Sequence, residues 1–154
     1  MRRNNVIKEV QRRLNLIKTA NGYAFDIANV FRNPDEEPLP DLMPMSNIFE
    51  LPEKTSKVKI HRGPKILPVY EKELTLIVEH WYLSDKIPET SRDINIFLRE
   101  VRKVLFSDGS ELGGIVNALV EQEVSRVFRP KVGNPMVGVG QVLTASYLED
   151  FSKL

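Results

Sequence analysis

Cysteine is absent from this chain, which excludes disulfides, thiolate metal sites and a cysteine nucleophile. Histidine is scarce: only His61 and His80 occur, and neither has a second histidine or a carboxylate at ligand spacing. The serines lack a nucleophile-elbow context. Gly133, Gly138 and Gly140 lack the Lys-Ser/Thr of a phosphate loop and precede a strand pattern instead of a helix. No apolar run approaches the length of a membrane span. The early arginines Arg2 and Arg3 are not followed by an apolar core of signal-peptide length. The expectation is a soluble protein folded in a cytoplasm. A net charge of +1 gives no bulk attraction to nucleic acid or anionic lipid. The sequence presents no catalytic chemistry.

What the chain does have is strand. Pro68–Leu83 is its longest strand-forming run, with Leu74, Leu76, Val78 and Tyr82 at every second position. His80 shares that face, as a packed or rim histidine. Ile77, Glu79, Trp81 and Leu83 occupy the other face, so both sides look partly apolar. At ~3.3 Å per residue the segment spans roughly 50 Å, more than an ordinary strand. Part of it is expected to protrude or to pair with another chain.

Asn5 to Lys18 predicts an amphipathic helix capped by Asn4 or Asn5, with Val6, Ile7, Val10, Leu14 and Ile17 inward. Arg12, Arg13 and Lys18 are expected outside. Ala20-Asn21-Gly22 supplies a left-handed stop, and the alternation of Tyr23, Phe25 and Ile27 predicts a strand. Four prolines and four acids between Asn33 and Pro44 predict an exposed loop. A short strand follows over Ser46–Leu51. Pro52–Leu67 is basic, and its Val58–Ile60 alternation predicts one arm of a hairpin that turns near Arg62-Gly63-Pro64. Lysines along such an arm discourage stray edge pairing.

A turn over Lys86–Thr90, capped by Thr90 or Ser91 with Asp93 as partner, leads into a second helix. Ile94, Phe97, Leu98, Val101, Val104 and Leu105 form its inner face, with Arg99, Glu100, Arg102 and Lys103 outside, and Ser107-Asp108-Gly109 ends it. Glu111–Arg129 predicts a helical turn and then a strand ending at Pro130. Gly133–Gly140 is expected as a turn leading to a strand surface bare enough for another backbone to approach. Val137–Glu149 alternates, with Val139, Leu143, Ala145 and Tyr147 on one face, and Asp150–Leu154 is a tail. Together these predict one α+β domain over residues 1–154, with exposed loops at 33–44 and 52–67. Its mostly antiparallel or mixed sheet carries a long β-hairpin and is packed by two main helices on one face. Surplus apolar surface and long edges point to self-assembly.

The order of these elements resembles the small neck and tail-completion proteins of tailed bacteriophages, the tail terminators most of all. The resemblance is carried by VIKEVQRRLNLIKTANGY at Val6–Tyr23, ELTLIVEHWYL at Glu73–Leu83, DINIFLREVRKVLF at Asp93–Phe106 and GNPMVGVGQVLTASYLEDF at Gly133–Phe151. It implies a structural virion protein, made in the host cytoplasm, without enzymatic activity or cofactor. Such a protein forms a ring, commonly a hexamer, at the head-proximal end of the tail. The ring stops tube polymerisation and offers the head–tail joining surface. The implied partners are further copies of itself, the tail tube protein, neck or connector proteins and the sheath terminus where there is one, with DNA only passing through the lumen. In that picture the subunit contacts are Lys54, Lys57, Lys59, His61, Arg62, Lys65, Ile77, Trp81, Leu83, Gly138 and Gly140. One alternative is a head–tail connector or completion protein. The other is a nucleic-acid-binding module using Arg2, Arg3, Arg12, Arg13 and Lys18 with the Lys54–Lys65 arm.

Overall fold

The computed structural model describes residues 2–56, 60–62, 65–67, 69–83, 94–125 and 135–150. Its frame is a six-stranded sheet. The strands are β1 (Asn29–Arg32), β2 (Met45–Glu50), β3 (Lys54–Ser56), β6 (Val69–Leu83), β7 (Ala118–Val124) and β8 (Met136–Asp150). β4 (Ile60–Arg62) and β5 (Lys65–Leu67) form a separate two-stranded ribbon. The main order is β1-β2-β6-β8-β7, with β3 beside β6 on the same edge as β2. Every pairing is antiparallel except β1 with β2. Parallel neighbours need a connection that travels back the length of the strand. The proline-rich 33–44 segment is that connection, an exposed loop with one 3-10 turn at Pro40–Leu42.

Two helices, α1 (Arg2–Asn15) and α2 (Ile94–Leu105), cover one face of the sheet. Leu74, Leu76, Val78 and Tyr82 of β6 are buried beneath them, with Leu143, Ala145 and Tyr147 of β8. Val6, Ile7, Val10 and Leu14 close the core from α1, as their helical spacing predicted, and Ile17 joins them from just past its end. Phe97 of α2 sits among rings, 4.5 Å from Phe25, 5.1 Å from His80 and 5.5 Å from Tyr82. The hairpin also forms: β3 pairs with Glu71–Glu73, and Arg62 pairs with Lys65 across the predicted turn.

Several details differ from the sequence expectations. α1 begins at Arg2, not at an Asn4 or Asn5 cap, because its first turn is anchored to the sheet. Arg3 meets Glu50 at 3.3 Å, and Asn4 accepts a 2.7 Å hydrogen bond from Arg32. The helix stops at Asn15, where Leu16 and Ile17 tighten into three-residue bonds to Arg13 and Leu14. Gly22, at φ +86°, ends the 3-10 turn Thr19–Asn21 that follows. Tyr23–Ile27 is not a strand. Its burial alternates, yet the Ala24 amide bonds the Glu100 carboxylate and the Ile27 amide bonds the Ile17 carbonyl, so no ladder can form there. Gly138 and Gly140 lie inside β8 and not in a turn. β7 runs over Ala118–Val124, and residues 126–130 of the predicted strand lie outside the described residues. Lys57, Lys59, the 84–93 turn with its caps, Gly133 and the residues after Asp150 lie outside the described residues.

Two charges expected on the surface are buried. Glu100 is 1% exposed and binds Arg99 as well as the Ala24 amide. Arg13 is 5% exposed and reaches the far end of α2. There it forks onto Asp108 at 2.7 and 2.9 Å and donates to the Leu105 carbonyl at 3.0 Å. Its Nε meets Glu9 at 2.9 Å. One guanidinium thus satisfies a helix-end carbonyl that has no helical partner, and it holds the Asp108 carboxyl below the usual carboxylate range. Replacing Arg13 by Leu strands that carbonyl and leaves Asp108 without its guanidinium, while Glu9 keeps Arg12. The expected loss is roughly 2 kcal/mol of unfolding free energy in urea titrations, with Asp108→Asn costing less.

Candidate functional site

On the helix-covered face, a line of polar groups crosses the sheet. The Ser46 hydroxyl lies 2.7 Å from His80 Nδ1, and His80 Nε2 lies 3.2 Å from Gln141 Oε1. The Gln141 amide donates to Glu121 at 3.2 Å, and Arg102 forks onto the same carboxylate with two bonds of 2.9 Å. The direction of each bond fixes the histidine tautomer. Gln141 donates through its nitrogen, so its oxygen accepts, and His80 must carry its proton on Nε2. Nδ1 is then the acceptor for Ser46. Ser46, His80 and Gln141 are each 0% exposed, so the serine–histidine pair is packed and not presented to solvent. Burial pushes His80 down to about 4, outweighing Gln141 and the Glu121 charge, so the ring is neutral. Burial alone pushes Glu121 up; Arg102 and Gln141 outweigh it and hold the carboxyl below its ordinary range.

Among the described residues no helix covers the opposite face, although Met45 and Asn47 on it are buried. Its register lays the side chains in three rows. Met45, Trp81 and Gly138 form the first; Phe31, Asn47, Glu79 and Gly140 form the second; Phe49, Ile77, Val142 and Glu123 form the third. Trp81, Ile77, Phe49 and Val142 are each partly exposed. They leave a hollow of about 250 Å³ lined by Ile77, Glu79, Trp81, Glu123, Ser125, Val139, Gly140 and Val142. A second hollow, about 260 Å³, opens on the same face between Phe31, Met45 and Leu42 under Asp35, Glu36 and Glu37.

Glycine shapes the first hollow. A Cβ at position 138 would stand 2.6 Å from the Trp81 ring, so only glycine lets the indole lie across β8. Trp81 Nε1 reaches Glu79 at 3.3 Å. At Gly140 a Cβ would meet the Ser125 hydroxyl at 2.7 Å, and that hydroxyl accepts the Gly140 amide at 2.8 Å. The bare strand surface predicted at these glycines is therefore occupied by side chains of the same chain.

The predicted contact residues fall into two groups. Ile77 and Trp81 sit together on the open face, over Gly138 and Gly140. Leu83, at the end of β6, is 5% exposed and has little surface to offer a neighbour, a correction to its reading as a contact. Lys54 is exposed on β3, while His61 and Arg62 lie on β4 and Lys65 on β5. The hollow also contains Glu123 and Val142, absent from the sequence-derived set. The β6–β8 register brings Val142 beside Ile77, and the β7–β8 register, shifted by a bulge at Glu121/Glu123, brings Glu123 beside Val142. Four of the five cations of the early basic cluster are engaged within the chain. Arg3 binds Glu50, Arg12 binds Glu9, Arg13 binds Asp108, and Lys18 donates to the Ile27 carbonyl. Among the described residues no group of three or more His, Asp or Glu could hold a metal, and no helix is long and apolar enough to cross a membrane.

Two measurements check this geometry. His80 takes up a proton on unfolding at pH values between its folded and unfolded pKa, so stability is full above about pH 6.5 and falls on acidification. At about 1.4 kcal/mol per pH unit, the expected loss between pH 6.5 and about 5 is roughly 2 kcal/mol, above the range where carboxylates protonate. His80→Gln should flatten that slope in urea unfolding at stepped pH; an unchanged slope would assign it elsewhere. Gly138→Val should cost about 1–3 kcal/mol by displacing the indole. In a Trp81→Ala background the same change should cost clearly less, giving a coupling energy in a double-mutant cycle. No protein-family model matches this chain, and no curated protein matches it.

Proposed function

We propose that this chain is a structural virion protein of a tailed bacteriophage, forming a ring at the head-proximal end of the tail that ends tube growth and joins the head. The observation that carries this reading is the sheet face that no described helix covers. Phe49, Ile77, Trp81 and Val142 sit partly exposed on it, an apolar cluster of the kind that marks a contact surface. The sequence resemblance to tail terminators supplies the context, and the α+β fold with helices on one face is compatible with it. In a ring, each open face would be covered by a neighbour. The tube protein and the neck proteins would meet the two ends.

The engagement of Arg3, Arg12, Arg13 and Lys18 within the chain favours assembly over phosphate binding by that cluster. Electron microscopy of particles assembled without this protein tests the reading. Overlong tails are expected if it terminates the tube. Detached tails of normal length would make it a connector instead, and intact particles would remove it from the neck altogether.

A further inference from the structure

Charge is divided between two parts of this molecule. Lys54–Leu67 contains Lys54, Lys57, Lys59, Arg62 and Lys65 and no acid. The whole chain is net +1, so setting those five cations aside leaves the remainder at net −4. Val58, Ile60, Ile66 and Leu67 interleave with the cations, which makes the segment both basic and apolar. Among the described residues, β4 and β5 pair only with each other. The open face has the matching character. Its hollow has an apolar floor of Ile77, Trp81 and Val142, with Glu79 on the floor and Glu123, exposed, at the rim. The second hollow on that face adds Asp35, Glu36 and Glu37.

We propose that the β4–β5 ribbon of one copy docks on the open face of a second copy, its cations meeting Glu79 and Glu123 and its apolar residues the floor around Trp81. This rests on the ring reading above and names the surfaces that would build it. A chain cannot easily serve its own hollow. The ribbon enters β6 at Val69, whereas the hollow lies at Ile77–Trp81, roughly 26 Å further along the same strand at ~3.3 Å per residue. Each copy therefore offers an arm at one place and a receptor at another, a heterologous contact that makes a ring when its rotation closes. Opposite charge steers and orients the encounter, and burial of the indole and its neighbours supplies affinity.

Charge reversal tests this through self-assembly followed by sedimentation velocity. One variant carries Arg62→Glu and Lys65→Glu on the ribbon; the other carries Glu79→Lys and Glu123→Lys on the face. Each alone should sediment as a monomer where the unaltered protein assembles. Mixed in equal amounts they should assemble again, because each acidic ribbon then finds a basic face and each basic ribbon an acidic one. Raising salt should weaken assembly of the unaltered protein by about tenfold or more.

Circular dichroism verifies that both variants fold; if Glu79→Lys disturbs the sheet, Glu123→Lys alone takes its place. Assembly of either variant alone at unaltered strength, or a mixture that stays monomeric, overturns the docking while leaving the ring itself standing. An unaltered protein that is monomeric at every concentration overturns both. If the ribbon variant assembles normally but loses salt-dependent binding to duplex DNA, the ribbon is a phosphate-binding arm and the docking is overturned.

Discussion

Fifteen consecutive residue pairs between β6 and β8, from Val69–Asp150 to Leu83–Met136, set the geometry of everything else. Side chains alternate across a strand, so a slip of one residue would exchange the two faces completely. The register is held because the two faces are so different. One presents Leu74, Leu76, Val78, Leu143, Ala145 and Tyr147 to the helices, all fully buried. The other presents the rows that contain Trp81, Ile77 and Val142. β2 and β3 use the remaining edge of β6, and β7 uses the remaining edge of β8. The root of the hairpin, where β3 pairs with β6, and the open face thus share one strand.

Polar groups orient the layers that this ladder supports. Arg13 fastens α1 to the end of α2, and Glu100 fastens α2 to the segment after α1. Glu50 gathers Arg3 and Arg32, tying the start of α1 and the end of β1 to β2. The Arg32 contact, followed by those of Asn33 and Arg3, holds that carboxyl below its ordinary range against burial. Tyr147 donates to Glu53 at the root of the hairpin, and burial followed by that acid raises the phenol above its usual range. Charges of this kind add little net stability over apolar replacements, but removing one partner is expensive. They fix which arrangement of the helices is permitted.

Much of this was legible from residue order. The inner faces of α1, α2, β6 and β8 follow from apolar spacing, because burial of those residues dominates their energetics. The pairing of β4 with β5 followed from the alternation expected around Arg62. Spacing could not reveal Arg13, whose partner Asp108 is 95 residues away, nor Glu100, which looks like an ordinary outward charge on its helix. Tyr23–Ile27 misled for a related reason: alternation reports which side faces the core, not which backbone groups pair. Gly138 read as a turn because the room it leaves is taken by Trp81, a relation visible only once the β6–β8 register is known. Of the candidate surface, Ile77 and Trp81 were visible in the alternation; Val142 needed the β6–β8 pairing and Glu123 the β7–β8 pairing.

Trp81 is the only tryptophan in the chain. Its indole lies on the uncovered face, partly exposed and braced against Gly138, with its N–H turned toward a carboxylate. The long-wavelength ultraviolet emission of this protein therefore comes from one ring in one place. Water around that ring shifts the emission to the red, and a neighbour laid over it shifts the emission to the blue. The fold has placed its one tryptophan on the surface that a neighbour would cover.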